Sequence, residues 1–192
     1  MSSRYWMLSG LLAGIMLAIS VLANPQPASA QVWRQAEKAD NSGATYVQLI
    51  LDGKFIKRPH ADVSAPPSLN LTCEPLKHST FSRPGFQNAA LRIGAPLKIA
   101  FVEPQEIHGT SYYQKVQVQY RLDDRKEERE NWNPGPDKNS ASLSKEVLEK
   151  FLKAHTVLIT LDEDGQGEVE VQFDIPDSTA VGQVCKLPVR KK

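Results

Sequence analysis

Residues 115–123 constrain the fold more than any other stretch of the chain. Val116, Val118, Tyr120 and Leu122 alternate with Gln117, Gln119, Arg121 and Asp123. A period of two over eight residues marks a strand with one apolar and one polar face. The segments around it are shorter and mostly of the same kind. Residues 45–51 are apolar and rich in β-favouring side chains, Asp52-Gly53 is a two-residue hairpin signal, and residues 54–57 are expected to return alongside. Three prolines between 59 and 67 mark a linker into the alternating strand 68–73, and a further strand is expected over 97–102.

Residues 74–94 carry no clear period, 103–111 read as a loop, and 125–130 form a charged run. Trp132-Asn133-Pro134-Gly135-Pro136 then reads as a turn-rich loop. Ser144 is placed to cap a helix reaching about His155, with Leu143 and Leu148 as a hydrophobic staple. Val147, Leu148, Phe151 and Leu152 form its apolar stripe. Two strands over 156–161 and 168–173 follow, joined by an Asp-Gly-rich turn, and a short final helix is expected to start near Pro176. The pattern predicts a mostly β (α+β) domain: an antiparallel, sandwich-like sheet carrying one amphipathic helix.

The ends of the chain are expected to serve other purposes. Arg4, the apolar run from 7 to 23 and Ala28-Ser29-Ala30 have the order of a secretory signal peptide, cleaved before Gln31. The rival is an uncleaved anchor, since seventeen apolar residues approach the lower limit of a span; Pro25 and Pro27 favour cleavage, after which no stable membrane span is expected. Organisation is therefore expected as a leader over 1–30 and an arm with a hairpin and Pro-rich linker over 31–67. A β-rich domain over 68–187 and a basic tail over 188–192 complete it. Removing 30 residues from 192 leaves 162, enough for one core. It also removes Arg4, so 22 basic side chains remain against 22 acidic ones, a balance that argues against nucleic acid as a partner. In an exported chain the two cysteines, Cys73 and Cys185, are expected to pair. Closing a loop of about 112 residues would stabilise the fold by about 4–5 kcal/mol at most in the chain-entropy account.

Few residues suggest chemistry. Asp162, Asp164 and Glu168 around Gly165 and Gly167 have the composition of a calcium loop, but the twelfth position of an EF-hand starting at Asp162 is Phe173, and the same residues suit a tight turn. His60, His78, His108 and His155 lack zinc-ligand spacing, and His155 suits a helix C-terminus. No nucleophile elbow, phosphate loop or dinucleotide fingerprint is present. Asp123 and Asp124 are neighbours on a strand, so they point to opposite faces and suit a strand-end turn better than a carboxylate pair. No catalytic residue and no cofactor is assigned. Asn70-Leu71-Thr72 fits a glycosylation acceptor. Tyr112, Tyr113, Tyr120 and Trp132 offer aromatic area for a binding surface; Tyr120, on the apolar face, suits the core better, and Trp132 lies in a loop.

The succession of Leu69-Asn70-Leu71-Thr72-Cys73, Val118-Gln119-Tyr120-Arg121-Leu122-Asp123, Trp132, the amphipathic helix, residues 156–161, Phe173-Asp174-Ile175 and Cys185 resembles small exported bacterial proteins of the type VI secretion-associated accessory (VasI/TagO-like) family. The likeness runs over about 68–187, and the charged insert at 125–131 departs from it. It implies a periplasmic or secreted, non-enzymatic accessory or binding protein of the cell envelope, with an envelope protein or cell-surface partner. Arg121, Asp123 and Trp132 match its motif as binding residues, or as an arginine–carboxylate pair with the indole packed over it. Two other functions are carried alongside: a hydrolase of cell-wall or extracellular polymer using Asp123 with a distant His108, and a calcium-dependent module using Asp162, Asp164 and Glu168.

Overall fold

The computed structural model describes residues 31–39, 45–58, 65–74, 85–102 and 113–190. The expected leader, His60, His78, His108, Tyr112 and the last two residues of the basic tail lie outside them. The fold is mostly antiparallel β with two short helices. Its strands are β1 (Arg34–Ala39), β2 (Thr45–Asp52), β3 (Lys54–Lys57), β4 (Ser68–Glu74), β5 (Gly85–Arg92), β6 (Ala100–Val102) and β7 (Tyr113–Leu122). After these come β8 (Glu128–Pro134), β9 (Ser140–Leu143), helix α1 (Lys145–Phe151), β10 (Thr156–Glu163), β11 (Gly167–Asp174) and helix α2 (Thr179–Cys185).

All the strands belong to one sheet, ordered β1-β2-β4-β5-β9-β8-β7-β10-β11-β3, with β6 added beside β7. The expected sandwich of two stacked sheets is therefore a single sheet curled into a half-barrel. The physical reason lies at Gly53. The Asp52-Gly53 pair does not make a hairpin: β2 pairs with β1 and β4, whereas β3 pairs with β11. One nearly continuous strand thus runs from one end of the sheet onto the other and brings the two ends together. Glycine is required here by close approach. A Cβ on Gly53 would lie 2.7 Å from Phe173 Cε1 and 2.9 Å from the Gln172 carbonyl oxygen. The Gly53 N–H bonds the Pro67 carbonyl at 2.7 Å, which keeps this strand beside the approach to β4.

Ion pairs lie along the seam: Lys57 with Glu168 at 2.8 Å and Lys54 with Asp174 at 3.3 Å. Arg58, just past β3, meets Glu163 at 2.5 Å, and both side chains are almost wholly buried. The Arg58 guanidinium also sits 4.2 Å from the Phe55 ring centroid. β1, β2 and β3 are thereby built into the same sheet as the other strands.

β7 is the strand its alternation predicts, with Val116, Val118, Tyr120 and Leu122 buried. The inner face of the sheet is filled by apolar side chains of β2, β4, β5, β10 and β11 and by the two helices. Ser144 caps α1, its hydroxyl accepting from the Val147 N–H, and Val147, Leu148 and Phe151 are buried. The helix stops at Phe151, four residues earlier than expected. The chain turns there because Asp123 takes the His155 and Thr156 N–H groups, starting β10 beside β7. At the other end of the domain Cys73 on β4 and Cys185 at the end of α2 form the expected disulfide, with Cα atoms 5.1 Å apart. No helix among the described residues is long and apolar enough to cross a membrane.

Candidate functional site: the outer face of strands 7, 8, 10 and 11

Of the three expected binding residues, Arg121 and Asp123 line one depression on the outer side of the sheet, and Trp132 is set apart from them. Arg121 stands on the outer face of β7, exposed. Trp132 is on the inner face of β8, 3% exposed, packed against Tyr120 and Phe151 with ring centroids 6.4 and 6.2 Å away. Of the turn-rich loop expected over 132–136, residues 132–134 are the end of a strand, and the turn begins only at Gly135. The inward positions of β8 are Glu128, Glu130 and Trp132, so charge hides the period of two.

Asp123 ends β7 with φ of 49°, a left-handed conformation that aspartate tolerates better than most residues. Its Oδ1 accepts from the His155 N–H at 2.8 Å and the Thr156 N–H at 2.9 Å. Burial works against the carboxylate, but those two backbone donors outweigh it, and the carboxyl titrates below its ordinary value. Asp123 is thus committed to holding the turn between α1 and β10. His155 contributes its backbone to that turn rather than ending the helix, and its Nδ1 lies 3.8 Å from Asp123 Oδ2.

Cross-strand partners share a face, and the register therefore writes out the surface around Arg121. Gln117 faces Asn131 and Gln119 faces Arg129 on β8. Arg121 faces Leu158 and Gln119 faces Thr160 on β10, which in turn face Gln172 and Glu170 on β11. This is a broad polar face of amides, a hydroxyl and charges around one half-buried leucine. Arg121 stands between two shallow depressions. One, of about 460 Å³, is lined by Asp124, His155, Thr156 and Gln172; the other, of about 100 Å³, by Gln119, Glu127, Thr160 and Glu170. Among the described residues Arg121 makes no ion pair, whereas Arg34, Arg58 and Arg92 each have a carboxylate. A guanidinium presents several donors in a planar fork, suited to bidentate acceptors such as carboxylates and phosphates.

At the inner edge of the same strands lies a polar cluster that sequence reasoning missed. The Tyr120 hydroxyl is 2.8 Å from Glu130 Oε1 and 2.9 Å from Glu128 Oε2. Trp132 Nε1 donates to Glu130 Oε2 at 3.2 Å, and Lys150 of α1 donates to Glu128 Oε2 at 2.6 Å. One hydroxyl proton cannot serve both carboxylates. Lys150 removes the conflict: it lies 3.4 Å from the same hydroxyl, bridging Tyr120 and Glu128 while the tyrosine donates to Glu130. Burial and the two carboxylates push the Tyr120 hydroxyl far above its ordinary value. Lys150, then Tyr120, hold Glu128 below its own, and Glu128 raises Lys150. The cluster clamps α1 to β7 and β8. Glutamates two apart on a strand, with a lysine on the following helix, were the available signal.

The acidic turn is a turn. Asp162 pairs with Lys98 at 3.1 Å and Glu168 with Lys57, while Asp164 uses its N–H on the Pro96 carbonyl. Among the described residues no group of three His, Cys, Asp or Glu side chains is placed to hold a metal ion. Asn70 lies mid-strand in β4, half-buried, its side-chain amide donating to Ser68 Oγ at 3.0 Å. Comparison with protein-family models, curated proteins and solved structures gives no match.

Proposed function

We propose that this chain is an exported, non-catalytic binding protein of the bacterial cell envelope, and that it meets its partner through the outer face of β8, β7, β10 and β11 with Arg121 as the anchor. The observation that carries this reading is the state of Arg121: an exposed guanidinium, unpaired among the described residues, at the centre of a broad polar face. The disulfide is compatible with life outside the cytoplasm, where cysteine pairs persist. The leader-like residues 1–30 and the resemblance to secretion-associated accessory proteins point the same way. A rigid sheet carrying polar side chains in fixed register is a good platform for recognition, because little side-chain and loop freedom is lost on binding.

The test is site-specific photocrosslinking in the native host. A crosslinker at Gln119 or Thr160 should capture one envelope component, and Arg121→Ala should abolish that adduct. A crosslinker at exposed Asn88, on the other half of the sheet, serves as the control. Equal capture from Asn88, or capture unaffected by Arg121→Ala, would refute the assignment of this face.

A further inference from the structure

Gln31 is the residue that cleavage after Ala30 would leave at the new N-terminus, and the structure gives its side chain a defined seat. Gln31 Oε1 accepts a hydrogen bond from the Asp174 N–H at 2.8 Å. Asp174 is the last residue of β11, and its carboxylate is already occupied: Gln172 Nε2 donates to Oδ1 at 2.6 Å, and Lys54 donates to Oδ2 at 3.3 Å. Two residues on, Trp33 Nε1 donates to Ser178 Oγ at 3.2 Å. The segment that follows the expected cleavage point is therefore pinned at the closing seam of the sheet, through side chains.

We infer that Gln31 is a modification site, where the exported protein closes its own N-terminus into a pyroglutamyl lactam. This rests on the export reading above, because only cleavage after Ala30 frees the Gln31 amine. In the reaction the α-amine nitrogen bonds to the side-chain Cδ and the Cδ–Nε2 bond breaks. Nε2 then departs as ammonia with the proton the amine gives up. Neither oxidant nor co-reactant is needed. Oε1 stays on Cδ as the lactam carbonyl, so the acceptor that the Asp174 N–H now bonds is not lost as a chemical group. The same N–H points at the oxygen that becomes negative when the amine adds to Cδ, the placement by which a backbone donor assists acyl transfer. The product is an uncharged terminus that aminopeptidases do not attack.

The experiment is an intact-mass measurement on full-length protein exported by its native host, with N-terminal sequencing before and after pyroglutamyl aminopeptidase. The expected mass is that of residues 31–192 less one ammonia, with sequencing blocked until the enzyme is added. A chain that starts at Gln31 with a free amine, and keeps it on prolonged incubation, overturns this inference and leaves the export reading standing. A chain cleaved at another position overturns this inference alone, and a chain that keeps the whole of residues 1–30 overturns both. The seat is tested separately by hydrogen exchange. Gln31→Ala should speed exchange of the Asp174 amide about tenfold, the equivalent of one hydrogen bond, while cyclised wild type keeps it slow. Equal exchange in the two proteins would remove the seat from the proposal.

Discussion

Replacing Gly53 by alanine probes the closure of the sheet. The new methyl would lie 2.7 and 2.9 Å from two ring carbons of Phe173 and 2.9 Å from the Gln172 carbonyl oxygen. Real Cβ atoms do not come so close, and neither neighbour is free to retreat. Phe173 is fully buried and Gln172 is paired on both sides, with Leu158 of β10 and Lys54 of β3. Overpacking a well-filled site costs about 1–3 kcal/mol. Because part of the clash is with backbone in a paired strand, the upper half of that range applies. In a domain of this size each kcal/mol lowers Tm by about 2–4 °C, so the variant should melt about 4–12 °C below wild type.

The assay is urea denaturation of four proteins: wild type, Gly53→Ala, Phe173→Leu and the double variant. Leucine lacks the two ring atoms that crowd the methyl, so the alanine should be less harmful in that background, with a coupling of about 1 kcal/mol. If Asp52-Gly53 were instead a hairpin turn, Phe173 would have no bearing on the result. Additivity within about 0.5 kcal/mol would refute the seam as described.

Three further outcomes are expected. Glu163→Ala leaves Arg58 charged and buried without its carboxylate, and should destabilise the fold by about 3–5 kcal/mol in urea titrations; a loss under about 1 kcal/mol would contradict the burial of that pair. The carboxyls of Asp123 and Glu128 titrate below their ordinary values, so the unfolded chain binds more protons there. Their contribution is complete above the ordinary carboxyl range and lost as the pH falls through the folded values. Lys150, raised by Glu128, acts in the opposite sense, its contribution fading as the pH climbs through its folded value. Denaturation midpoints against pH should therefore form a plateau, and Asp123→Asn should flatten its acid limb. Calcium at millimolar concentration should leave Tm unchanged, since Asp162 and Glu168 each hold a lysine; a shift of several degrees would overturn that placement.

Alternation made the central strands legible. β7 alternates over eight residues, and β10 and β11 carry apolar residues at 157, 159, 161 and at 169, 171, 173. α1 was legible at its start, where Ser144 and Leu148 act locally, but not at its end, which is set by a carboxylate 32 residues earlier in the chain. β8 was hidden because its inward positions hold two glutamates, and they can face inward only because Tyr120, Trp132 and Lys150 meet them there. The Asp52-Gly53 pair misled for a related reason. Its local chemistry fits a turn, whereas its structural role is set by a phenylalanine 120 residues away. Of the proposed binding motif, Arg121 is on the surface, Asp123 holds a turn and Trp132 is core. A strand's two faces cannot be assigned to partner or core until the register of its neighbours is known.

The strand that passes through Gly53 also sets an order of events in folding. Its first half finds β4 within a few residues of the Pro-rich connection, but its second half must wait for β11, with contacts such as Lys57 to Glu168 spanning 111 positions. A chain emerging N-terminus first therefore holds β3 without a partner until nearly everything else has been made. Closure of the sheet and formation of the Cys73–Cys185 bridge, which spans 112 positions, are both late and non-local steps, the kind that slow folding most. Until β3 docks, β11 is an open edge on which other chains can pair.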